Sequence, residues 1–206
     1  MDLSIFGILW ALIERACLML VLFMLIFHIK FFKRMLDHKM NWADQLVLAA
    51  VFGILSIYGT YSGVQTTGAI ANIRNLGPML GGLLGGPWAG LGAGLIGGVH
   101  RYFMGGFTAF PCALGTILSG LAGGLLLMLW KGNIGVWKPT LFAFIMEIAD
   151  MGLLLLIAKP FTATLNLVSI IAMPMILADS FGIAVFSLLL RDMKATHSTR
   201  AEINMR

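Results

Sequence analysis

Charge is what this sequence has least of. Asp, Glu, Lys and Arg make up 11% of its 206 residues, against about 25% in an ordinary soluble domain. That shortage excludes a soluble enzyme and a disordered chain, which both rely on charged, hydrated groups. Cysteine is nearly missing too. Cys17 and Cys112 are the two present, which excludes a secreted disulfide scaffold and a thiolate metal framework. No cofactor and no metal are expected. What the chain has instead is apolar: 59% of residues are hydrophobic and the mean hydropathy is +0.94. That is more than a folded core uses, and it points to lipid as the solvent. A nucleic-acid partner is excluded as well, although the isoelectric point is near 9.5. The meaning of the +5 net charge depends on where its 14 basic and 9 acidic residues sit.

About 20 apolar residues cross a bilayer as a helix. Apolar runs occupy roughly residues 3–29, 43–61, 76–99, 107–130, 139–158 and 163–190. The first begins after Asp2 without a basic leader and is interrupted by Glu14-Arg15, unlike a cleaved signal peptide. The third is different in kind. Residues 77–106 hold 12 of the 25 glycines, and Pro87 follows Gly85-Gly86 in its middle. Proline removes a helical hydrogen bond and clashes with the preceding turn. Each arm, Gly77 to Gly85 and Ala89 to His100, then reaches roughly 15 Å, half the hydrocarbon thickness. A hairpin that enters and leaves on one side fits this better than a span, provided it is packed in protein.

The distribution of basic residues tests the choice. With six spans, leaving out the embedded Arg15, six basic residues fall on the side of Lys30, Lys33, Arg34 and Lys39, and seven on the other. Neither orientation is favoured. With five spans and a hairpin, the Lys131/Lys138 loop and the tail with Arg191, Lys194, Arg200 and Arg206 join that first group. Ten basic residues are then inside, with Arg74, Arg101 and Lys159 outside. The expected fold is therefore all-α and polytopic, with five transmembrane helices plus a Gly-rich re-entrant hairpin at about residues 77–100. The N-terminus is expected outside and the C-terminus in the cytoplasm. Trp42, Trp130 and Trp137 fall at expected inner interfaces, as belt aromatics do.

Gly82, Gly86, Gly90, Gly94 and Gly98 recur every four residues, the spacing at which small residues let helices approach closely in lipid. Residues 92–97 match GxGxxG. A dinucleotide site is rejected, since no strand precedes the motif and no acidic residue follows at the required distance.

The candidate site residues gather around the hairpin. Arg74 and Arg101 flank it on the expected outer side, and an arginine fork can hold a carboxylate through two parallel hydrogen bonds. Snorkelling to headgroups or pairing with a buried acid is the alternative. Thr108, Cys112, Thr116 and Ser119 form one small, polar stripe at helical spacing, either lining the same cavity or packing against a neighbouring helix. Glu14, Arg15, Glu147, Asp150 and Asp179 lie deep in their spans, and intramembrane charges are functional candidates by default. They form either a polar network that keys helix packing or a proton- or ion-coupling device. His28, His38 and His100 have no second ligand at metal spacing.

The segments Ala69-Ile70-Ala71-Asn72-Ile73-Arg74, Gly81 to Pro87, Gly97 to Tyr102, Gly105 to Ala109 and Cys112 resemble the signature of the LytS-type five-transmembrane sensor domain. Glu14-Arg15, Ala172 to Met175 and Gly182 to Phe186 are also similar to that family. The resemblance covers nearly all of residues 5–192. It implies a bacterial receptor domain followed, in longer members, by a histidine kinase or a diguanylate cyclase. Some members respond to extracellular pyruvate. The resemblance implies that Arg74, Arg101 and Cys112 bind ligand; Asn72, Thr108 and Thr116 are further candidate ligand-binding residues of the same pocket. A small polar residue three after the cysteine is implicated too, and here that position is Gly115.

The expectation is a signal-input domain over residues 1–192, with 193–206 as the start of a cytoplasmic linker whose output domain is absent. It would lie in the bacterial inner membrane and bind a small extracellular carboxylate such as pyruvate. Its partners would be lipid, a second copy through the parent protein, and a response regulator through the missing kinase. The alternative is a small-solute transporter or its substrate-binding component, drawn from the hairpin and the buried acids.

Overall fold

The computed structural model describes residues 4–27, 41–66, 68–130 and 135–204. Expectations for His28, Lys30, Lys33, Arg34, His38, Lys39, Lys131 and Arg206 lie outside them. The described residues form seven helices: α1 (Ile5–Phe27), α2 (Trp42–Tyr61), α3 (Leu76–Gly85), α4 (Pro87–Phe103), α5 (Ala109–Leu129), α6 (Trp137–Ile157) and α7 (Phe161–Asn204). A two-stranded antiparallel ribbon, β1 (Val64–Gln65) and β2 (Ile70–Ala71), links α2 to α3 with Val64 opposite Ala71. Five helices, α1, α2, α5, α6 and α7, are long and apolar enough to cross a membrane. The chain is an all-α polytopic membrane protein.

Local chemistry sets the helix ends. Asn41 caps α2 by accepting from the Asp44 amide at 2.9 Å, and Asp44 accepts from the Asn41 amide at 3.1 Å, a reciprocal capping box. Gly86 takes a φ of +85°, which an L side chain resists. Pro87 follows at the first position of α4, where no amide donor is needed. This pair breaks the third apolar run into two helices packed on each other.

The hairpin differs from expectation in depth. Its second arm is 17 residues long, about 25 Å at the helical rise, and not a half-thickness segment. The helix continues through His100 and Arg101 because its glycines are packed tightly and shielded. It ends at Gly105 and Gly106, which have φ of +73° and +89°. Trp88 at the tip lies 5.7 Å from Trp42 at the start of α2, and His100 lies 5.1 Å from Tyr61 at its end. The second arm thus runs beside α2, with its tip near the start of α2 and its far end near the end of α2.

Glycine makes this packing possible. A β-carbon on Gly90 would run into the Gly120 carbonyl of α5, and one on Gly82 into the same carbonyl. On Gly94 it would come 2.8 Å from the Ile117 Cα, and on Gly98 2.8 Å from the Ala113 carbonyl oxygen. One face of the four-residue ladder therefore packs against α5. Gly77, Gly81, Gly92 and Gly97 turn the other face to α2. Around this core α5 contacts α6, α6 packs on α7, and α7 packs on α1.

Gly90→Val is expected to destabilise the fold by about 3 kcal/mol or more, because backbone cannot yield as a side chain does. Gly152→Ala, at a site where a β-carbon meets nothing within 4 Å, is expected to leave the thermal midpoint in detergent unchanged. Equal midpoints for the two variants would show that the close approach is not essential.

Candidate functional site

The link from β2 to α3 carries the first site residue inward. Asn72 donates from Nδ2 to the Ile70 carbonyl at 2.7 Å, and its Oδ1 accepts from the Arg74 amide at 3.1 Å. Both ends of the Asn72 side chain are thus used to fold the link. Gly59 of α2 lets the link come close: a β-carbon there would lie 2.9 Å from the Arg74 Cα. As a result Arg74 is 0% exposed, and Arg101 is 4% exposed. The sequence suggested arginines at the outer mouths of the hairpin. The structure buries both, because the ribbon and residues 71–75 tuck into the bundle and do not pass over its top.

Each guanidinium is anchored to the polar stripe of α5. Arg74 donates from Nε to Thr116 Oγ1 at 2.7 Å and from Nη2 to the Cys112 carbonyl at 3.5 Å. Arg101 donates from Nη1 to the Gly105 carbonyl and from Nη2 to Thr108 Oγ1, both at 2.8 Å. Cys112 lies between the two anchors, and the charges of Arg74 and Arg101 both act on its thiol. Ser119, the last member of the stripe, donates back to the Thr116 carbonyl of its own helix at 2.9 Å. Arg74 Nη1 is buried with no hydrogen-bond partner.

Behind Arg74 lies an acidic wall. Glu147 and Asp150 of α6 and Asp179 of α7 are buried, at 0%, 2% and 0% exposure. Asn75 joins them to the arginine side. Its Nδ2 donates to Glu147 Oε1 at 2.7 Å and to Asp150 Oδ2 at 3.3 Å, while its Oδ1 accepts from Thr116 Oγ1 at 2.9 Å. Asp179 meets the Glu147 carboxyl across the α6–α7 seam. Among the described residues, no ion pair within 4.0 Å joins these acids to either arginine. Glu14 and Arg15 are not brought here. Glu14 is exposed on α1 and Arg15 half-buried, and neither shares a hydrogen bond with the other three acids among the described residues.

Asn72, Thr108, Cys112 and Asp150 line one small cavity, closed on the far side by apolar residues that include Leu167, Ile171 and Met175 of α7. Its volume is about 10 Å³, room for about one water. Two larger grooves, of about 400 and 670 Å³, lie on the outer surface, lined mostly by apolar side chains such as Phe103 and Leu129. They gather no converging polar groups, so the small cavity is the candidate site among the described residues.

Residues 29–193 match the family described as 5TMR of 5TMR-LYT. The chain belongs to the 5TM-5TMR_LYT family. It is 36% identical to the sensor histidine kinase BtsS of Escherichia coli over 196 residues, which covers 92% of this chain and 35% of that protein. It is 33% identical to the sensor protein LytS of Bacillus subtilis over 194 residues, covering 85% and 33%. It is 34% identical to the sensor histidine kinase YpdA of Escherichia coli over 182 residues, covering 85% and 32%. The chain thus spans about a third of the length of these relatives. No solved structure matches it. The five apolar helices and these relatives together make it a multi-pass protein of the inner membrane.

Within this 5TM-5TMR_LYT chain, sequence reasoning missed Asn75. Asn75 is the sole side chain hydrogen-bonded to Thr116, Glu147 and Asp150 together among the described residues. Its adjacency to Arg74 was the one available signal.

Thr116→Val keeps the shape and removes the hydroxyl shared by Arg74 and Asn75. It is expected to cost about 1–3 kcal/mol, the penalty for stranding buried polar groups, while Thr116→Ser keeps most of the stability. Denaturation midpoints in detergent check this, and equal values for Val and Thr at residue 116 would contradict the network. Asp179→Asn supplies an N–H opposite Glu147 and is expected to preserve the thermal midpoint, whereas Asp179→Ala is expected to lower it.

Proposed function

We propose that this chain is the signal-input domain of a bacterial sensor kinase and that it binds a small carboxylate, pyruvate-like, at the Arg74–Arg101–Cys112 site. The observation that carries the reading is Arg74 Nη1, a fully buried guanidinium nitrogen with no acceptor in the protein. A buried donor without an acceptor is costly, and a carboxylate is the planar acceptor that an arginine fork matches. Thr108 and Thr116 hold the two guanidinium groups in place by accepting from them. Membership in the 5TM-5TMR_LYT family supports the receptor role.

The closed cavity then explains how binding becomes a signal. Ligand entry requires α5 to part from α6 and α7, since the present space holds no carboxylate. Ile171 and Met175 of the cavity wall flank Pro174 in α7, where the helical hydrogen-bond ladder is interrupted. The 44 residues of α7 extend about 66 Å, twice the hydrocarbon thickness. Movement at the cavity therefore travels along α7 to residues 193–206, which form the start of a cytoplasmic linker. The N-terminus lies outside, the hairpin is re-entrant from the outer side, and the parent protein acts as a homodimer with a response regulator.

Thermal unfolding of the chain against a panel of small carboxylates tests the reading. A ligand at about 100 times its Kd stabilises by about 2.7 kcal/mol, so a concentration-dependent rise in Tm is expected. Arg74→Ala and Arg101→Ala are expected to abolish it, and Arg101→Lys, which keeps charge without the fork, to weaken it at least tenfold. No shift with any acid defeats the proposal. Flux of labelled ligand into liposomes would identify a transporter instead, because a receptor binds without transport.

A further inference from the structure

The Asp150 carboxylate has an exceptional seat. It rests on the backbone of Gly115 in α5, where a β-carbon would collide with Asp150 Oδ1. The missing side chain at position 115 is what admits the carboxylate to the wall of the cavity that Asn72, Thr108 and Cys112 also line. Asp150 Oδ2 accepts from Asn75. Asp150 Oδ1 accepts from nothing, although the residue is 2% exposed. On the arginine side, Arg74 Nη1 is likewise buried and has no partner. Asp150 lines the cavity, and Arg74 is linked to it through Thr116 and Asn75, so an unused anionic acceptor and an unused cationic donor belong to one buried network.

A plain carboxylate satisfies only the donor. It also brings another carboxylate toward Asp150, which already shares the Asn75 side-chain amide with Glu147. A molecule with an ammonium group on the carbon next to its carboxylate satisfies both poles. Its ammonium donates to Asp150 and its carboxylate accepts from the guanidinium groups. The remaining walls, Leu154, Leu167, Ile171 and Met175 among them, are apolar and close, so the third substituent must be small and uncharged.

We propose that Asp150, seated on Gly115, makes this site selective for a small α-amino carboxylate, with Asp150 holding the ammonium group opposite Arg74 and Arg101. The inference rests on the carboxylate-receptor reading above and narrows its ligand class.

The test compares L-alanine, propionate and pyruvate as ligands of the full chain in detergent, by thermal shift and calorimetry. Propionate matches alanine in length and lacks the amino group. L-alanine is expected to bind at least tenfold more tightly than either acid. Asp150→Asn, nearly isosteric, is expected to erase that preference, and Gly115→Ala to do the same by displacing the carboxylate. If Gly115→Ala fails to fold, Asp150→Asn alone carries the test. Equal or tighter binding of propionate or pyruvate in the wild type overturns the inference, as does an undiminished preference in Asp150→Asn. Both results leave the carboxylate-receptor reading standing. If none of the three ligands binds, that reading fails and this one with it.

Discussion

A guanidinium with no exposed surface inside a membrane protein has no water to turn to, so every neighbour must answer to it. Arg74 is that group. It reaches its depth because Gly59 lets α2 lie against its backbone. It is held there by Thr116 and the Cys112 carbonyl of α5. Through Asn75, the same hydroxyl connects to Glu147 and Asp150 of α6. One buried cation therefore fixes the relative positions of three helices, α2, α5 and α6, and of the link into α3. The glycine ladder serves the same end, since hydrogen bonds of 2.7–2.9 Å between helices require backbones close enough for short side chains to meet.

The network is not closed. Arg74, Glu147, Asp150 and Asp179 each keep a buried polar atom without a partner. Soluble and membrane interiors alike leave few such atoms; of these four residues, Asp150 lines the small cavity, and Arg74 and Glu147 are linked to it through Thr116 and Asn75. On the receptor reading, the unsatisfied atoms are the store of interaction energy that a ligand draws on to part α5 from α7. A ligand shifts such an equilibrium only by the difference in its affinity for the two arrangements, and about 1–3 kcal/mol is typical of coupling between sites. A few charge-assisted hydrogen bonds supply that much.

Much of the architecture was legible before any coordinates. Run length gave six apolar segments, and the break at Gly86-Pro87 with the distribution of basic residues reduced them to five spans. The positions of Trp42, Trp130 and Trp137 at one end of the bundle, joined by Trp88 at the hairpin tip, followed from their place at helix ends. The arm lengths of the hairpin did not follow. Glycine reads as a helix breaker in water, yet α4 carries five glycines between Gly90 and Gly98 without interruption, because a lipid-embedded backbone has no competing hydrogen-bond partner.

The site divides along a similar line. The sequence by itself determined the chemical inventory: two arginines flanking a hairpin, a polar stripe on α5 and deep acids on α6 and α7. The helical period alone placed Thr108, Cys112 and Thr116 on one face. Only the tertiary structure decided that both arginines are buried, that Asn75 and Thr116 join Arg74 to the acids, that Glu14 stays outside, and that Asp150 occupies the space above Gly115. Those facts depend on which helix lies against which, and at what distance. Periodicity fixes the direction of a side chain from its own helix axis, but the partner it meets is set by packing between segments tens of residues apart.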